Sequence, residues 1–275
     1  MTLSLVQTKQ IQNFRQGRIN TRKEIRRQHI LRRNLERRIY RQLLSAFSRF
    51  VNTKAYLFKE FNLYNQFIAA RDLEEEFLPI MFMHYKKVFR SIFDSNEANY
   101  DKIKKADEAV IFGRNIDIEE LIEIYNKGRL LYLSGISMSI AKRVERIITE
   151  GREEGLSVNQ IAQNISNKVL PISKSRAALI ARTETHNAAS FANHQYHDIL
   201  KKDLDLNMMK KWVSTSDNRT RSAHVEANGQ VRAMDEDFDI GGTQMSHAGD
   251  PRGGAKNNVN CRCVIIYADA EDIVL

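Results

Sequence analysis

A chain of 275 residues, 42% hydrophobic and 28% charged, can bury a core as one large domain or two modest ones. It contains no run of about 18 apolar residues, and Met1 to Gln16 lacks the apolar stretch of a secretory signal, so no membrane partner is expected. Cys261 and Cys263 are its two cysteines; they make no disulfide framework and fit a reducing compartment.

The net charge of +9 is unevenly placed. Residues 1–50 carry thirteen Lys/Arg, eleven of them Arg, against only Glu24 and Glu36. This arm therefore holds +11, and the other 225 residues sum to −2. Such an arm prefers a polyanion, either nucleic acid or an acidic protein face, and Arg is the better phosphate fork. A solvated helix face with incidental charge is the plainer alternative. Apolar residues at Ile25, Ile30, Leu31, Leu35, Ile39, Leu43, Leu44, Phe47 and Phe50 predict a helix from Thr21 to Phe50. Arg22, Arg26, Arg27, Arg32, Arg33, Arg37, Arg38 and Arg41 lie between them. They are the candidate contacts to double-stranded DNA, without base specificity, or to a protein partner.

Lys54 to Phe93 continues helically, with Pro79 expected to break or kink it. Asn99 to Phe112 reads as a shorter helix stopped by Gly113. Asp117 can cap a helix towards Gly135, and Ser137 another over Ile140 to Glu150. Ser157 and Gln160 form a capping-box pattern for Val158 to Lys168. Pro171 and Ser173 are expected to open a last long helix, Lys174 to Leu200.

The character changes after Asn207. Lys211 to Thr215 and Cys261 to Ala268 read as strands. Asp217 or Asn218 can cap a short helix reaching Glu226, and Asn228-Gly229 signals a turn. Five of the twelve glycines fall between Gly241 and Gly254, which predicts a long loop. The fold class expected is α+β and predominantly helical. Long N-terminal helices (1–135, led by the 1–50 arm) precede a small α+β unit within 136–275.

Helical spacing puts Ala177, Ala181, Glu184, Ala188 and Phe191 on one face. A carboxylate in an alanine stripe is either a catalytic group or a buried residue that pins packing, and the packing role is favoured. Arg182 points to the opposite side, with His186 one turn on. His194 and His197 share i,i+3 spacing but no matching carboxylate or cysteine, so they read as an exposed polar turn of the helix. The sharper group is Arg219, Arg221, His224, Cys261 and Cys263. His224, Cys261 and Cys263 could be three soft metal ligands, with His247 or Asp250 as a fourth. They could also be a Cys–His nucleophile pair, but two small buried cysteines beside a hydrogen-bonded histidine are the favoured reading. Cys-x-Cys is weaker than paired Cys-x-x-Cys. No cofactor is expected from this pattern; zinc is the one that it could hold. The glycines of GGTQMSHAGDPRGG lack the strand-to-helix setting of a nucleotide loop.

Three stretches, taken in order, resemble the phage Mu F-like minor head proteins, the phage head morphogenesis family. They are Ile180–Ser190 (IARTETHNAAS), Trp212 to Gly229 and Gly249–Cys263 (GDPRGGAKNNVNCRC). The resemblance covers roughly Ile140 to Ala268 and rests on Arg182, Glu184, Trp212, Asp217, Arg219, His224, Gly229, Asp250, Pro251, Cys261 and Cys263. It implies a minor structural protein of a tailed-phage head, assembled in the host cytoplasm and lying near the portal. Its expected work is head assembly, DNA packaging or DNA ejection, with portal, capsid or scaffold proteins and DNA as partners, and no enzyme activity. A metal-binding or Cys/His enzyme domain centred on His224, Cys261 and Cys263 is the alternative.

Overall fold

In the computed structural model, residues 21–104, 117–215, 217–270 and 273 are described. Four long helices come first: α1 (Thr21–Phe61), α2 (Gln66–Lys104), α3 (Ile118–Glu153) and α4 (Val158–Leu204). A compact α+β region follows: β1 (Met208–Val213), α5 (Ser222–Glu226), β2 (Val231–Ala233), β3 (Phe238–Ile240) and β4 (Thr243–Met245). It ends with a 3-10 turn (Pro251–Gly253), α6 (Gly254–Asn258) and β5 (Val264–Asp269). The chain is predominantly helical α+β, as the sequence pattern predicts.

The helices are longer than expected. α1 runs past Phe50, and its buried positions Leu35, Ile39, Leu43, Phe47, Phe50 and Val51 keep the 3–4 spacing. Pro79 does not end α2. Leu73, Phe77, Met81 and Tyr85 flank it and are all fully buried, so packing outweighs the one lost backbone hydrogen bond. Pro171 likewise sits inside α4. The two segments expected around Ser137 are one helix, α3, because Leu133, Ile136, Ile140 and Val144 form a continuous buried stripe, and Ser137 is buried within it rather than capping. The Asn99–Phe112 helix lies partly within α2 and otherwise outside the described residues. The capping box holds: Ser157 N–H and Oγ both meet Gln160 Oε1, at 2.9 and 2.7 Å.

Among the described residues the chain gathers into two compact units. One draws on 35–86 and 119–182. Its core is aromatic and aliphatic, with Phe47 and Phe77 rings 5.8 Å apart and Tyr85 edge-on to Tyr125 at 4.9 Å.

The other draws on described residues within 21–34, 87–104 and 183–270. It holds an antiparallel sheet in the order β2-β1-β5, with Lys210 opposite Tyr267 and Trp212 opposite Ile265. β1 starts and ends earlier than the predicted strand, and its buried residues alternate: Met208, Lys210, Trp212. β5 is buried at every position. The expected glycine loop contains real structure. β3 and β4 form a hairpin turned by Gly241 and Gly242, both at positive φ, where glycine is unstrained. The 3-10 turn follows, capped by Asp250, whose side chain accepts from Arg252 N–H.

Gly249 sets the approach of this loop to α4. It has φ +87°, and a Cβ there would stand 2.6 Å from Asn187 Oδ1 and 3.0 Å from Asn187 Cα. Gly229 has the same φ with nothing within 4 Å. Gly229→Ala should therefore cost only the left-handed backbone penalty, about 1 kcal/mol. Gly249→Ala should cost clearly more, on the order of 3 kcal/mol. Urea denaturation of the two variants checks this, and equal losses would contradict the close approach.

Candidate functional site

The region of interest is built on α4. From Thr183 to Ser190 every residue is buried, including Thr183, Glu184, Thr185, His186, Asn187 and Ser190. A helix buried all round is normally apolar, so these polar groups require partners. Arg32 of α1 supplies partners for two of them, His186 and Ser190. Its guanidinium, 7% exposed, donates to His186 Nδ1 at 3.0 Å, the Cys263 carbonyl at 3.2 Å, and Gln28 Oε1 and Ser190 Oγ at 3.1 Å each. Burial pulls this group down to about 10, still charged at neutral pH. Gln28 adds a 3.2 Å bond from Nε2 to the Ile265 carbonyl of β5. A second polar chain runs from Glu24 through Arg27 to Asn96 of α2 (2.7 Å) and on to Asn193 of α4 (2.9 Å).

Beside Arg32 stand the two cysteines. Both are reduced and buried. His224 Nδ1 lies 3.2 Å from Cys263 Sγ and 3.6 Å from Cys261 Sγ. Trp212, fully buried, meets the His224 ring edge-on at 5.6 Å. The hydrogen bond from Cys263, reinforced by His186 and His224, holds Cys261 well below the usual thiol range, and the same bond, with burial, pushes Cys263 up. The structure thus brings together His224, Cys261 and Cys263 and adds His186. The proposed fourth ligands lie elsewhere: His247 Nδ1 faces the Ala248 carbonyl at 3.1 Å, and Asp250 accepts from Ser246 and Arg252.

The remaining motif residues hold structure. Asp217 does not cap α5, whose N-cap is Arg221. It accepts both guanidinium nitrogens of Arg262 (2.5 and 2.6 Å) and the N–H of exposed Arg219 (3.0 Å), clamping this turn to the Cys-x-Cys segment. These bonds, Arg262 first, hold Asp217 far below the usual carboxylate range. Gly229 closes its turn by donating to the Trp212 carbonyl at 2.8 Å. Pro251 opens the 3-10 turn. Glu184 is fully buried in the alanine stripe. Exposed Arg182 reaches Glu36 Oε1 at 3.3 Å.

Of the eight arm arginines, Arg32 is buried and Arg27 is committed to Glu24, Ser95 and Asn96. Arg22, Arg26, Arg33, Arg37, Arg38 and Arg41 are exposed on α1. Sequence periodicity missed this division, although Arg32 falls one turn after Gln28, on the side that the apolar stripe buries. Lys210 was also missed. It is fully buried in β1, donates to the Met234 and Ser246 carbonyls at 3.1 and 3.0 Å, lies over the Phe238 ring, and is pulled down to about 8 by burial. A cleft of about 530 Å³ in the helical unit, lined by Lys142, Arg143, Arg146 and Arg176, was foreshadowed only by the i,i+4 pair Lys142 and Arg146.

Residues 142–266 match the family described as Phage Mu protein F like protein. This part of the chain is similar to the Mu F family. The chain is 30% identical over 152 residues to the minor head protein GP7 of Bacillus phage SPP1, covering 55% of this chain and 46% of that protein. It is 37% identical over 129 residues to the NAD(+)--arginine ADP-ribosyltransferase EFV of Enterococcus faecalis, covering 46% of this chain and 26% of that protein. It is 31% identical over 130 residues to the uncharacterized protein YqbB of Bacillus subtilis, covering 44% and 40%. The chain thus spans less than half the length of each of these relatives. No solved structure matches it. The Mu F-like segment holds His186, His224, Cys261 and Cys263; Arg32, which donates to His186 and to the Cys263 carbonyl, lies outside it.

The buried histidines make stability sensitive to acid. His197 is buried rather than on the exposed turn expected, because its ring stacks on Tyr267 at 4.3 Å; burial lowers it and His84 to about 4 each. Between about pH 6.5 and 4 the unfolded chain binds more protons at these sites than the folded one. Their contribution is therefore complete above pH 6.5 and is lost as pH falls towards 4. At pH 5 each should remove up to about 2 kcal/mol relative to neutral pH. A urea midpoint equal at pH 7.5 and pH 5 would contradict this.

Proposed function

We propose that this chain is a minor structural component of a tailed-phage head that lies near the portal and acts in head assembly, DNA packaging or DNA ejection. The observation that carries this reading is the Mu F-like match over residues 142–266, joined by the 30% identity to a phage minor head protein. Its action is adhesive. The exposed arginines of α1 meet DNA without base specificity. Exposed Phe61, Leu63, Phe67 and Ile68, around the turn between α1 and α2, form a docking surface for a head protein such as the portal, capsid or scaffold protein. Among the described residues no helix is long and apolar enough to cross a membrane.

An enzymatic reading is less well supported. Cys261, Cys263 and His224 are 3%, 2% and 1% exposed, so a nucleophile there could not meet a substrate of any size. The identity to EFV covers 26% of that protein, and its named activity is not carried over to this chain.

The chain should be present in purified particles at a few copies; absence from particles would overturn the head role. Replacing Arg22, Arg26, Arg33, Arg37, Arg38 and Arg41 by Gln should weaken binding to duplex DNA at least tenfold and flatten its salt dependence. Unchanged affinity and salt slope in the folded variant would overturn DNA contact through α1.

A further inference from the structure

We propose that His224, Cys261 and Cys263 bind a zinc ion, with His186 as a positioning residue beside it. The three donor atoms lie within 4.8 Å of one another. Tetrahedral zinc, with bonds of about 2.1 Å to nitrogen and about 2.3 Å to sulfur, places its ligand atoms roughly 3.4 to 3.8 Å apart. The 3.2 and 3.6 Å separations from His224 Nδ1 to the two sulfurs already approach that spacing, so small side-chain adjustments suffice. Two thiolates and an imidazole are a donor set suited to zinc, and two thiolates neutralise the ion's charge in a buried setting.

The surroundings point the same way. The backbone of Thr215 hydrogen-bonds the Cys263 sulfur, and Trp212 holds the His224 ring edge-on at 5.6 Å. His186 has a buried Nε2 without a hydrogen-bond partner. A guanidinium only donates, so the 3.0 Å contact makes His186 Nδ1 an acceptor and places the ring proton on Nε2. His186 also acts electrostatically on Cys261, which puts its unpartnered Nε2–H near that sulfur. It therefore suits the role of a donor that orients the Cys261 thiolate rather than that of a ligand. The protein supplies three ligands, and water takes the fourth position. The ion would staple the five-residue α5 to the segment that leads into β5, in a region of short elements that gains from a cross-link. Zinc also accounts for Cys-x-Cys and His224 within the Mu F-like segment without requiring catalysis, and the proposal holds whether or not the head role does.

The test is metal analysis and cobalt titration of the full chain. The expected result is about one zinc per chain and, after exchange, the thiolate-to-cobalt charge-transfer absorption and strong visible bands of a four-coordinate ion. Absence of both stoichiometric zinc and these bands would overturn the proposal, and this readout needs no variant to fold. Cys261→Ser and Cys263→Ser should each lose most of the charge-transfer absorption, whereas retention of the full band would remove that cysteine from the ligand set. His186→Gln should keep the bands but weaken cobalt affinity about 10- to 100-fold. Complete loss of the bands in a folded His186→Gln protein, or unchanged affinity, would overturn the positioning role.

Discussion

The C-terminal region is organised around one constraint: a polar stretch of α4 is buried on all sides and must be hydrogen-bonded from outside. Arg32 meets much of that requirement. Its planar fork reaches α4 through His186 and Ser190, the lead into β5 through the Cys263 carbonyl, and Gln28 of its own helix. Lysine could not span these acceptors, because its single ammonium lacks the fixed fork. A buried cation with well-placed partners fixes one arrangement more than it adds net stability. The same reasoning covers Lys210, whose ammonium joins the Met234 and Ser246 carbonyls and so seats the β3–β4 hairpin.

The arginines of α1 therefore do two different jobs. Arg27 and Arg32 point into the fold and position α4 and the cysteine segment. Arg22, Arg26, Arg33, Arg37, Arg38 and Arg41 point into solvent, where charge is available to a polyanion. The Mu F-like motif residues follow the first pattern. Asp217 clamps Arg262, Asp250 caps the 3-10 turn, Gly249 lets that turn reach Asn187, and His224 faces both sulfurs. Their shared work is to wrap short elements around a polar helix.

Much of this was legible in the sequence. Periodicity found the helices, the capping box at Ser157 marked where α4 starts, and the motif spacing marked the family. Helix boundaries failed at Pro79, Ser137 and Pro171, where local breaker or capping signals were overridden by the buried stripes running through them. The grouping of His224 with both cysteines was readable from the motif, although Cys261 and Cys263 precede β5 rather than alternating on a strand. Arg32 was not readable as part of it, because its contacts to His186 and the Cys263 carbonyl join residues more than 150 positions apart, and His186 lies on a different element, 75 positions before Cys261. Nor does composition separate a buried arginine from seven similar neighbours; only the tertiary partners do that.

The central claim is that Arg32 organises this region. It is tested most directly by comparing Arg32→Met with Arg33→Met in the full chain, by denaturation and by amide exchange across 183–190. Arg32→Met should lose on the order of 3 kcal/mol and expose the α4 amides to exchange, because it strands His186, Ser190 and the Cys263 carbonyl. Exposed Arg33→Met should stay within about 0.5 kcal/mol of the parent. Equal stability and equal protection in the two variants would contradict the account.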